Sequence, residues 1–341
     1  MTVHRTAGEL DPGEAPRLIS VVVPVYCEEG IVERAYAELT AVLAGLRGYR
    51  YELVFVDDGS SDGTGPILRR LAAMDARLKV VAFSRNFGHQ IAITAGIQRA
   101  RGDAIVTIDG DLQDPPSLVP RMIELWEAGY HVVFARRQER QGETWFKRAS
   151  AAVFYRLLNR LAGIHIPRNV GDFRLIDRKV ADELNRMREH NRFLRGLVSW
   201  VGFRQVGLDY VRSARPTGET KYPFRKMLRL AWDAVISFSD KPLRASLNLG
   251  FTAILVSFGV LAYGLYQHWT GNTVRGWTST IVTVLFLGGV QLFTLGVIGE
   301  YLSRMLDEIK GRPLYVVEEE INLDPDDEPR PATPGAPPCQ P

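Results

Sequence analysis

The sequence predicts an α/β domain with a mostly parallel sheet and flanking helices, followed by an interfacial amphipathic helix and two transmembrane helices. Short apolar runs alternate with helical stretches up to about residue 240, which is typical of a parallel sheet with helices on both faces. Beyond Arg244, charged residues almost vanish until Glu300. That region contains two apolar stretches, each about as long as the ~20 residues needed to cross a ~30 Å hydrocarbon layer.

Composition and charge exclude several classes of protein. The chain has 341 residues, a formal net charge of +3 and two cysteines, Cys27 and Cys339. This charge is too small to indicate a nucleic-acid partner. Two cysteines provide neither a disulfide framework nor metal-ligand spacing, which favours a reducing compartment. The first 17 residues are polar and lack the apolar core of a signal peptide, so we expect the soluble part to stay in the cytoplasm.

The domain organisation follows from these changes in composition. We expect a disordered N-terminus (1–17), a catalytic domain (18–222), a juxtamembrane amphipathic region (223–244), two transmembrane helices (245–302), a cytoplasmic C-terminal segment (303–322) and a disordered tail (323–341). The tail is rich in proline and acidic residues, a composition that cannot form a core.

Within the catalytic domain, β-branched and apolar runs predict the strands, and helical spacing of apolar residues predicts the helices between them. The predicted strands are Ile19–Val25, Tyr51–Val56, Leu78–Ser84, Ala104–Ile108 and Val132–Ala135; the predicted helices are Ile31–Arg47, Ile67–Met74 and Gln90–Ala100. The polar clusters DDGSSDGT and DGDLQD close two of the strands. Ligands of parallel sheets bind outside the carboxyl ends of the strands, so we expect the functional site there.

The two apolar stretches, Leu247–Tyr266 and Thr278–Gly299, predict the transmembrane helices. Basic residues flank the pair at both outer ends, whereas Arg275 is the one basic residue of the connecting loop. By the positive-inside rule, this asymmetry places the catalytic domain and both termini in the cytoplasm. Trp269 and Trp277 then lie at the outer interface. The alternative is a pair of buried core helices.

The segment Pro223–Ser239 precedes the first apolar stretch. Its apolar residues fall on one helical face, with basic residues off that face. This pattern is typical of a helix that lies in the headgroup plane of a membrane. Packing of the same face against the soluble domain is the alternative.

The strongest local motif is Asp109-Gly-Asp111 at the end of a predicted strand. Two carboxylates at this spacing are suited to a hard divalent cation, and Mg²⁺ takes its remaining ligands from water and substrate phosphates. A second acidic pair, Asp57-Asp58, ends an earlier strand. The sequence has no Gly-x-Ser-x-Gly nucleophile motif, no Walker lysine loop and no GxGxxG turn, which argues against a hydrolase, an ATPase or a dehydrogenase.

These residues resemble a known enzyme family. SVVVPVYCEEG, ELVFVDDGSSDGT, SRNFGHQIAITAGIQRARGD and TIDGDLQDPP are similar to the family 2 glycosyltransferases of GT-A fold. GDFRLIDR, RFLRGLVSWVGF, RPTGETKYPFRKM and the two apolar stretches narrow the resemblance to the polyprenyl-phosphate glycosyltransferases, which include bactoprenol glucosyltransferases and relatives of dolichol-phosphate mannosyltransferase. The resemblance covers roughly residues 18 to 318.

The resemblance implies an inverting transfer at the cytoplasmic membrane face. A hexose, with glucose from UDP-glucose favoured, would move to a polyprenyl phosphate such as undecaprenyl phosphate, for modification of cell-envelope glycans. GDP-mannose, a UDP-N-acetylhexosamine and an aminoarabinose donor stay open as alternatives. The implied cofactor is Mg²⁺ or Mn²⁺, and we expect a homo-oligomer because small residues in the apolar stretches permit close helix packing.

The resemblance also assigns residues to the donor. It implies that Pro24, Tyr26, Glu28 and Asp58 contact the nucleotide, that Asp109 and Asp111 hold the metal and diphosphate, and that Gln113 lies near the sugar. Asp57 serves the base or caps its turn. Cys27 occupies a position where the family usually has Asn, and we expect it to be a small buried apolar residue. We expect His89 and His165 to have structural roles.

The ionisation of the acceptor phosphate determines which residues we expect to bind or orient it. A phosphate monoester has a second pKa near ~6 and is ionised at neutral pH, so it needs positioning more than a general base. The basic candidates for this are Arg136 or Arg137, Arg148, Arg215 and Lys221. Asp172 matches the position that the family assigns to a base or an orienting carboxylate, and a salt bridge with Arg174 is the alternative.

Two other functions compete with this one. A processive polysaccharide synthase shares the catalytic domain, but such enzymes carry a Gln/Arg-x-x-Arg-Trp motif, and here Arg192-Phe-Leu-Arg195 is followed by Gly196. Two membrane spans are also too few to build a translocation channel. A catalytically idle membrane scaffold is the alternative outside the enzymes, and a pure scaffold has no need of Asp109, Asp111 and Gln113.

Overall fold

The structure is a computed structural model and describes residues 16–137, 170–187, 189–190, 192–210, 241–270 and 277–323. Arg148, His165, Arg215, Lys221 and the amphipathic segment Pro223–Ser239 lie outside the described residues. The chain divides into two compact units. The first comprises Met1–Ser150, His165–Lys221 and Pro313–Pro341, and the second comprises Ala151–Ile164 and Tyr222–Arg312.

Strands and helices alternate through most of the first unit. In chain order its elements are β1 (Arg17–Val25), α1 (Val32–Ala44), β2 (Tyr49–Asp57), α2 (Thr64–Met74), β3 (Leu78–Phe83), α3 (His89–Arg99), β4 (Ala104–Thr107), α4 (Val119–Glu127), β5 (Val132–Arg137), β6 (Val170–Asp177), α5 (Arg178–Arg186), α6 (Leu194–Trp200), β7 (Gln205–Tyr210) and β8 (Val317–Ile321). The predicted strands and helices of the N-terminal half are confirmed, with ends that differ by a few residues.

The eight strands form one sheet in the order β7-β5-β6-β4-β1-β2-β3-β8. The central strands β4, β1, β2 and β3 are parallel neighbours, as the alternating pattern predicts. Their β-branched and apolar side chains are buried on both faces, as is typical of parallel strands. Strand β6 pairs antiparallel with both β4 and β5, while β7 is parallel to β5.

Strand β8 lies within the predicted cytoplasmic C-terminal segment 303–322, whose boundaries stay a prediction. The second apolar helix continues to Lys310, and Val317–Ile321 then adds an antiparallel strand beside β3. Asn322 follows the strand and donates hydrogen bonds to the carbonyl oxygens of Ala72 and Leu78, each 2.8 Å long. The sequence signal was weak because Val317–Ile321 carries three consecutive glutamates. Charged residues of this kind are common on edge strands, where they discourage pairing with other chains.

The second unit contributes two long helices, α7 (Lys241–Trp269) and α8 (Trp277–Lys310), which pack against each other. Both are long and apolar enough to cross a membrane, with mean hydropathy of 1.5 over Lys241–Val260 and 1.2 over Phe286–Lys310. Only 12% and 6% of these two windows are buried. This exposure argues against the alternative of two buried core helices, because a core helix would cover its apolar side chains.

Candidate functional site

Strand topology gathers the chemistry-bearing residues at one edge of the sheet. Strands β1, β2 and β4 are parallel and in register, so their carboxyl ends lie side by side. Strand β6 runs antiparallel to β4 with Thr107 opposite Arg174, so its first residues lie beside the last residues of β4. Asp172, near the start of β6, therefore comes to the same edge as Asp109, which follows β4.

The loops after β1 and β2 are joined by hydrogen bonds from backbone amides to side-chain oxygens. The amide of Cys27 donates to Ser60 Oγ and the amide of Glu28 to Thr64 Oγ1, both at 2.9 Å. The amide of Gly63 donates in return to Glu29 Oε2 at 2.8 Å. These bonds join the two predicted nucleotide-contacting loops into one surface.

Three predicted nucleotide contacts, Pro24, Tyr26 and Glu28, lie at the end of β1. Pro24 is buried within the strand, Glu28 is half-buried, and Tyr26 exposes 49% of its surface. An exposed aromatic ring next to an ordered loop offers a flat surface on which a nucleobase can stack. Contact of these residues with a nucleotide stays a prediction.

The expectation that Cys27 is a buried apolar residue is wrong. Cys27 is exposed and has a backbone φ of +53°, in the left-handed region that non-glycine residues rarely adopt. Asn tolerates this conformation better than most residues, which gives a backbone reason for the Asn that the family usually has here. The left-handed turn exposes the thiol and aims its sulfur toward Ser61, 3.9 Å from Oγ.

Asp57 and Asp58 are both buried and both accept backbone hydrogen bonds. Asp57 Oδ1 accepts from the amide of Ser60 at 2.9 Å, which is the turn-capping contact considered as one of its two roles. Asp58 accepts from the amides of Phe87 at 2.7 Å and Gly88 at 3.0 Å. Burial raises the pKa of Asp58, although these amide bonds oppose the rise. Asp58 thus fixes the loop that precedes α3.

The loop after β4 contains an unusual backbone conformation. Asp111 Oδ1 accepts from the amide of Gln113 at 3.1 Å, and the intervening Leu112 has a φ of +52°. A leucine in the left-handed region is strained, and such strain is characteristic of functional loops. Gln113 is buried beside this turn, while Asp111 is half-buried. The turn therefore holds the side chain of Asp111 in a fixed position.

His89 joins two carboxylates of the site. As the first residue of α3, it places Nε2 3.4 Å from Asp109 Oδ1 and 3.4 Å from Asp172 Oδ2. Burial works to lower the pKa of His89, but the hydrogen bond to Asp172 and the charge of Asp109 outweigh it, so the pKa is raised. The sequence predicts a structural role for His89, and these contacts place it inside the candidate site.

Asp172 is held as an anion by several donors. Arg195 binds it through two bonds, from Nε to Oδ1 and from Nη2 to Oδ2, each 3.0 Å long. Gln90 Nε2 donates to Oδ2 at 3.1 Å. Burial works to raise the pKa of Asp172, but the hydrogen bonds from His89 and Arg195 prevail and hold it well below the ordinary value. A carboxylate so strongly stabilised as the anion is a poor proton acceptor at neutral pH.

The alternative of a salt bridge with Arg174 is only part of this arrangement. Arg174 Nη2 lies 3.6 Å from Asp172 Oδ1 and donates to the carbonyl oxygen of Gly171 at 2.9 Å. Burial lowers the pKa of Arg174 to about 10, although Asp172 opposes that change. The main cation of Asp172 is therefore Arg195. In the sequence, Arg195 belongs to the incomplete synthase motif Arg192-Phe-Leu-Arg195, which gives no sign of this pairing.

The structure separates the two neighbouring arginines of β5. Arg136 forms a two-bond ion pair with Asp209 on an exposed surface, with Nη2 2.8 Å from Oδ2. Arg137 lies on the opposite side of the strand, where Nε donates to Tyr210 Oη at 3.1 Å and Nη2 to Asp114 Oδ2 at 3.4 Å. Asp114 is fully buried close to Asp111 in the chain, so Arg137 is the arginine of the pair that faces the site.

The residues present fit a divalent cation as a partial ligand set. Asp109 Oδ1 is buried and accepts no hydrogen bond from the described residues. Burial raises the pKa of Asp109 to about 6, His89 opposes the rise, and repulsion from Asp172 and Asp111 adds to it. Within the described part of the chain, no group of three His, Cys, Asp or Glu side chains forms a complete metal site. Two carboxylates suit Mg²⁺ or Mn²⁺, which complete their shells with water and phosphate oxygens.

Two sequence profiles match this chain. The profile described as Glycosyl transferase family 2 matches residues 20–184, and the profile described as GtrB C-terminal hairpin matches residues 241–305. The first match contains the strands that form the site, and the second contains most of α7 and α8. The GT-A fold that the sequence predicts is confirmed by this family match together with the sheet described above.

Curated relatives match almost the full chain. The Bacillus subtilis (strain 168) protein named Uncharacterized glycosyltransferase YkcC is 51% identical over 309 residues, which are 89% of this chain and 94% of the relative. Uncharacterized glycosyltransferase sll0501 of Synechocystis sp. is 44% identical over 88% of this chain and 95% of its own. The prophage bactoprenol glucosyl transferase homolog of Escherichia coli (strain K12) is 40% identical over 88% of this chain and 98% of its own.

The Asp172–Arg195 pair gives a first prediction. Asp172→Asn and Arg195→Met should each lower the thermal stability of the full chain, but the double variant should lose less than the sum, with a coupling of about 1–3 kcal/mol. Because the pKa of Asp172 is lowered in the folded state, its ion pair contributes to the free energy of unfolding above about pH 4, and this contribution is lost as the pH falls further. The coupling energy should therefore be equal at pH 6 and pH 8.

The measurement is a double-mutant cycle of unfolding in detergent. The exposed Arg34–Glu38 pair of α1 is the matched control, and its coupling should not exceed about 0.5 kcal/mol. Additive losses for Asp172 and Arg195 would contradict the prediction.

Proposed function

The chain belongs to glycosyl transferase family 2, and from that premise we propose that it transfers a hexose from a nucleotide-sugar to a polyprenyl phosphate at a membrane surface. The observation that carries this proposal is the joining of a family 2 domain to a hairpin of two helices that are long and apolar enough to span a membrane. A membrane-spanning hairpin would hold the catalytic domain beside a lipid acceptor. Two relatives, one named a bactoprenol glucosyl transferase and one a homolog of it, match 88% of this chain at 40% identity.

The donor would lie across the carboxyl edge of β1, β2 and β4. Tyr26 offers its exposed ring to the base. Asp57 caps the turn that carries Ser60, and Ser60 and Thr64 in turn accept hydrogen bonds from the loop on which Tyr26 and Glu28 lie. Asp58, the other proposed nucleotide contact at this edge, is buried and holds the loop that precedes α3. Gln113, buried beside the turn at Leu112, would meet the sugar. UDP-glucose is the donor that we favour, with GDP-mannose, a UDP-N-acetylhexosamine and an aminoarabinose donor as alternatives.

Asp109 and Asp111 would hold Mg²⁺ or Mn²⁺ together with the donor diphosphate. When bound, the cation neutralises the negative charge that develops on the leaving diphosphate. Within the described residues, the buried Oδ1 of Asp109 accepts no hydrogen bond and has His89 Nε2 at 3.4 Å. This supports the assignment, because a buried carboxylate oxygen without a hydrogen bond favours a bound ligand.

Asp172 would orient the reactants instead of removing a proton. Its low pKa makes it a poor base, and an acceptor phosphate that is already ionised needs none. Its bonds to Arg195, Gln90 and His89 fix the edge of β6 against α3 and α6. Direct attack of a phosphate oxygen on the anomeric carbon, with departure of the nucleoside diphosphate, would invert the configuration of the sugar.

The acceptor phosphate would be bound by basic side chains. Of the two candidates on β5, Arg137 is supported by its orientation toward Asp114 and Tyr210, while Arg136 is engaged with Asp209 on an exposed surface. Arg148, Arg215 and Lys221 complete the proposed set. Arg215 and Lys221 flank Gly218 just before the amphipathic segment at Pro223.

The proposed location is the cytoplasmic membrane, with α7 and α8 spanning it and the catalytic domain and both termini in the cytoplasm. The charge asymmetry around Arg275 supports this orientation. A homo-oligomer remains our proposal for the assembly. A processive synthase is the less favoured enzyme, since the Trp of its motif is replaced by Gly196 and the described chain supplies two membrane-length helices. An idle scaffold is not supported, because the chain is a glycosyltransferase by family.

Loss of the metal site should abolish transfer. We expect Asp111→Ala to remove nearly all activity while the protein stays folded and membrane-bound, because it deletes a ligand of the cation that neutralises the leaving group. Excess EDTA should have the same effect and Mg²⁺ or Mn²⁺ should reverse it. Transfer is measured with purified full chain, a short polyprenyl phosphate and a panel of sugar nucleotides. Wild-type rates for Asp111→Ala, or full activity in EDTA, would contradict the assignment.

Loss of an acceptor-binding residue should weaken binding of the polyprenyl phosphate and leave binding of the nucleotide-sugar nearly unchanged. Lys221→Ala, Arg215→Ala and Arg137→Ala each remove a charge-assisted hydrogen bond of about 1.5–3 kcal/mol, or one to two decades in kcat/KM. We expect the apparent KM for polyprenyl phosphate to rise much more than that for the nucleotide-sugar. Arg121→Ala, which removes an exposed arginine paired with Glu124, is the control. A loss that falls mainly on the donor would assign these residues to the diphosphate.

The membrane topology is tested with reporter fusions. A reporter inserted at Gly271–Asn272 should be extracytoplasmic, and one fused after Glu318 should be cytoplasmic, because basic residues flank the outer ends of the hairpin. The readout is compartment-specific enzyme activity of the reporter in cells. A cytoplasmic signal from the loop would mean that α7 and α8 do not span the membrane.

A further inference from the structure

Residues 315–321, which we term the C-terminal strap, lie beyond both matched profiles, which end at residues 184 and 305. The strap includes β8, which pairs with the edge strand β3. At its start the carbonyl oxygen of Val316 accepts from the amide of Ser84 at 3.0 Å. The strap thus contacts the first residue of the loop 84–88, which connects β3 to α3 and therefore precedes His89.

A row of aromatic rings leads from the strap into this loop. The ring of Tyr315 stacks on that of Phe83, with centroids 4.8 Å apart and planes inclined by 22°. Phe83 is buried and meets the ring of Phe87 edge to face, with centroids 5.7 Å apart. Tyr315 also donates a hydrogen bond from its hydroxyl to Gln98 Oε1 of α3 at 2.6 Å. Offset and edge-to-face pairs of this kind stabilise one arrangement of the rings.

The loop is also held on the side of the candidate site. Asp58 accepts hydrogen bonds from the amides of Phe87 and Gly88. Gly59 approaches the loop so closely that a Cβ atom there would lie 2.3 Å from the carbonyl carbon of Arg85. Gly88 has a φ of +106° and leads directly into α3 and His89. The loop is therefore anchored to Asp58 on one side and sets the start of α3, where His89 lies, on the other.

We propose that Tyr315 is a positioning residue for the transfer reaction, because its ring holds Phe83 and Phe87 so that the loop 84–88 keeps its hydrogen bonds to Asp58 and presents His89 in its active arrangement. The inference rests on the proposed function for its kinetic consequence only. Its structural part, the ordering of the loop by the strap, is measurable without any turnover.

Hydrogen exchange and kinetics of the full chain in detergent test this inference. In Tyr315→Ala, the amides of residues 84–90 should exchange about 2- to 10-fold faster, as expected from loss of one aromatic pair. The apparent KM for the nucleotide-sugar should rise by a similar factor, while the KM for polyprenyl phosphate stays unchanged. Tyr315→Phe, which keeps the ring and loses the hydroxyl, should restore both values.

Asn322→Ala is the matched control, because it removes the hydrogen bonds to Ala72 and Leu78 at the far end of the strap. It should lower the melting temperature without faster exchange of residues 84–90. If Tyr315→Ala does not fold, Tyr315→Leu, which keeps an apolar side chain against Phe83, is judged by the same criteria.

Three results would overturn the inference: unchanged exchange of residues 84–90 in the Ala or Leu variant, equal effects of Asn322→Ala and Tyr315→Ala, or failure of Tyr315→Phe to restore the loop. Absence of transfer by the wild-type chain with every donor would refute the proposed function instead. The exchange measurements would then still decide whether the strap orders the loop.

Discussion

Negative charge concentrated at one edge of the sheet is the constraint on which the rest of the site depends. Asp109, Asp111, Asp114 and Asp172 come to this edge because β4 ends where β6 begins. Carboxylates this close repel one another, so each needs its own compensation. Asp172 and Asp114 are neutralised by arginines, whereas the buried oxygen of Asp109 accepts no hydrogen bond from the described residues. Asp109, which has the imidazole of His89 at 3.4 Å, is therefore more open to added positive charge than Asp172, which Arg195 already pairs.

This division of charge supports a mechanism with separate duties. A carboxylate locked between Arg195, Gln90 and His89 is rigid and anionic, which suits it to hold loops in place and makes it unsuited to take up a proton. An ionised phosphate acceptor removes the need for a base. In the proposed mechanism, the catalytic contribution of the protein would be positioning of the reactants together with stabilisation of the leaving diphosphate.

The central strands and the acidic motifs were predictable from sequence because they depend on local pattern. Apolar β-branched runs gave the parallel strands, and Asp109 and Asp111 follow one of them directly. The network around Asp172 was not predictable, since Gln90 lies 82 residues from Asp172 in the chain and reaches it through antiparallel pairing of β6. The prediction for Cys27 was wrong because cysteine is usually a buried residue type, whereas a left-handed turn exposes it here. Strand β8 was not predicted because its three consecutive glutamates are unusual in a strand. Pairing with β3 stabilises it.

Direct attack by the acceptor phosphate is the central claim of this account, and the anomeric configuration of the product tests it most directly. Purified full chain would be incubated with α-linked UDP-glucose and a short polyprenyl phosphate, and the lipid-linked sugar analysed by proton NMR. A single displacement without a covalent enzyme intermediate predicts the β-linked product. An α-linked product would contradict the account. Retention of configuration requires either a second displacement or a front-side attack, and the proposed mechanism contains neither.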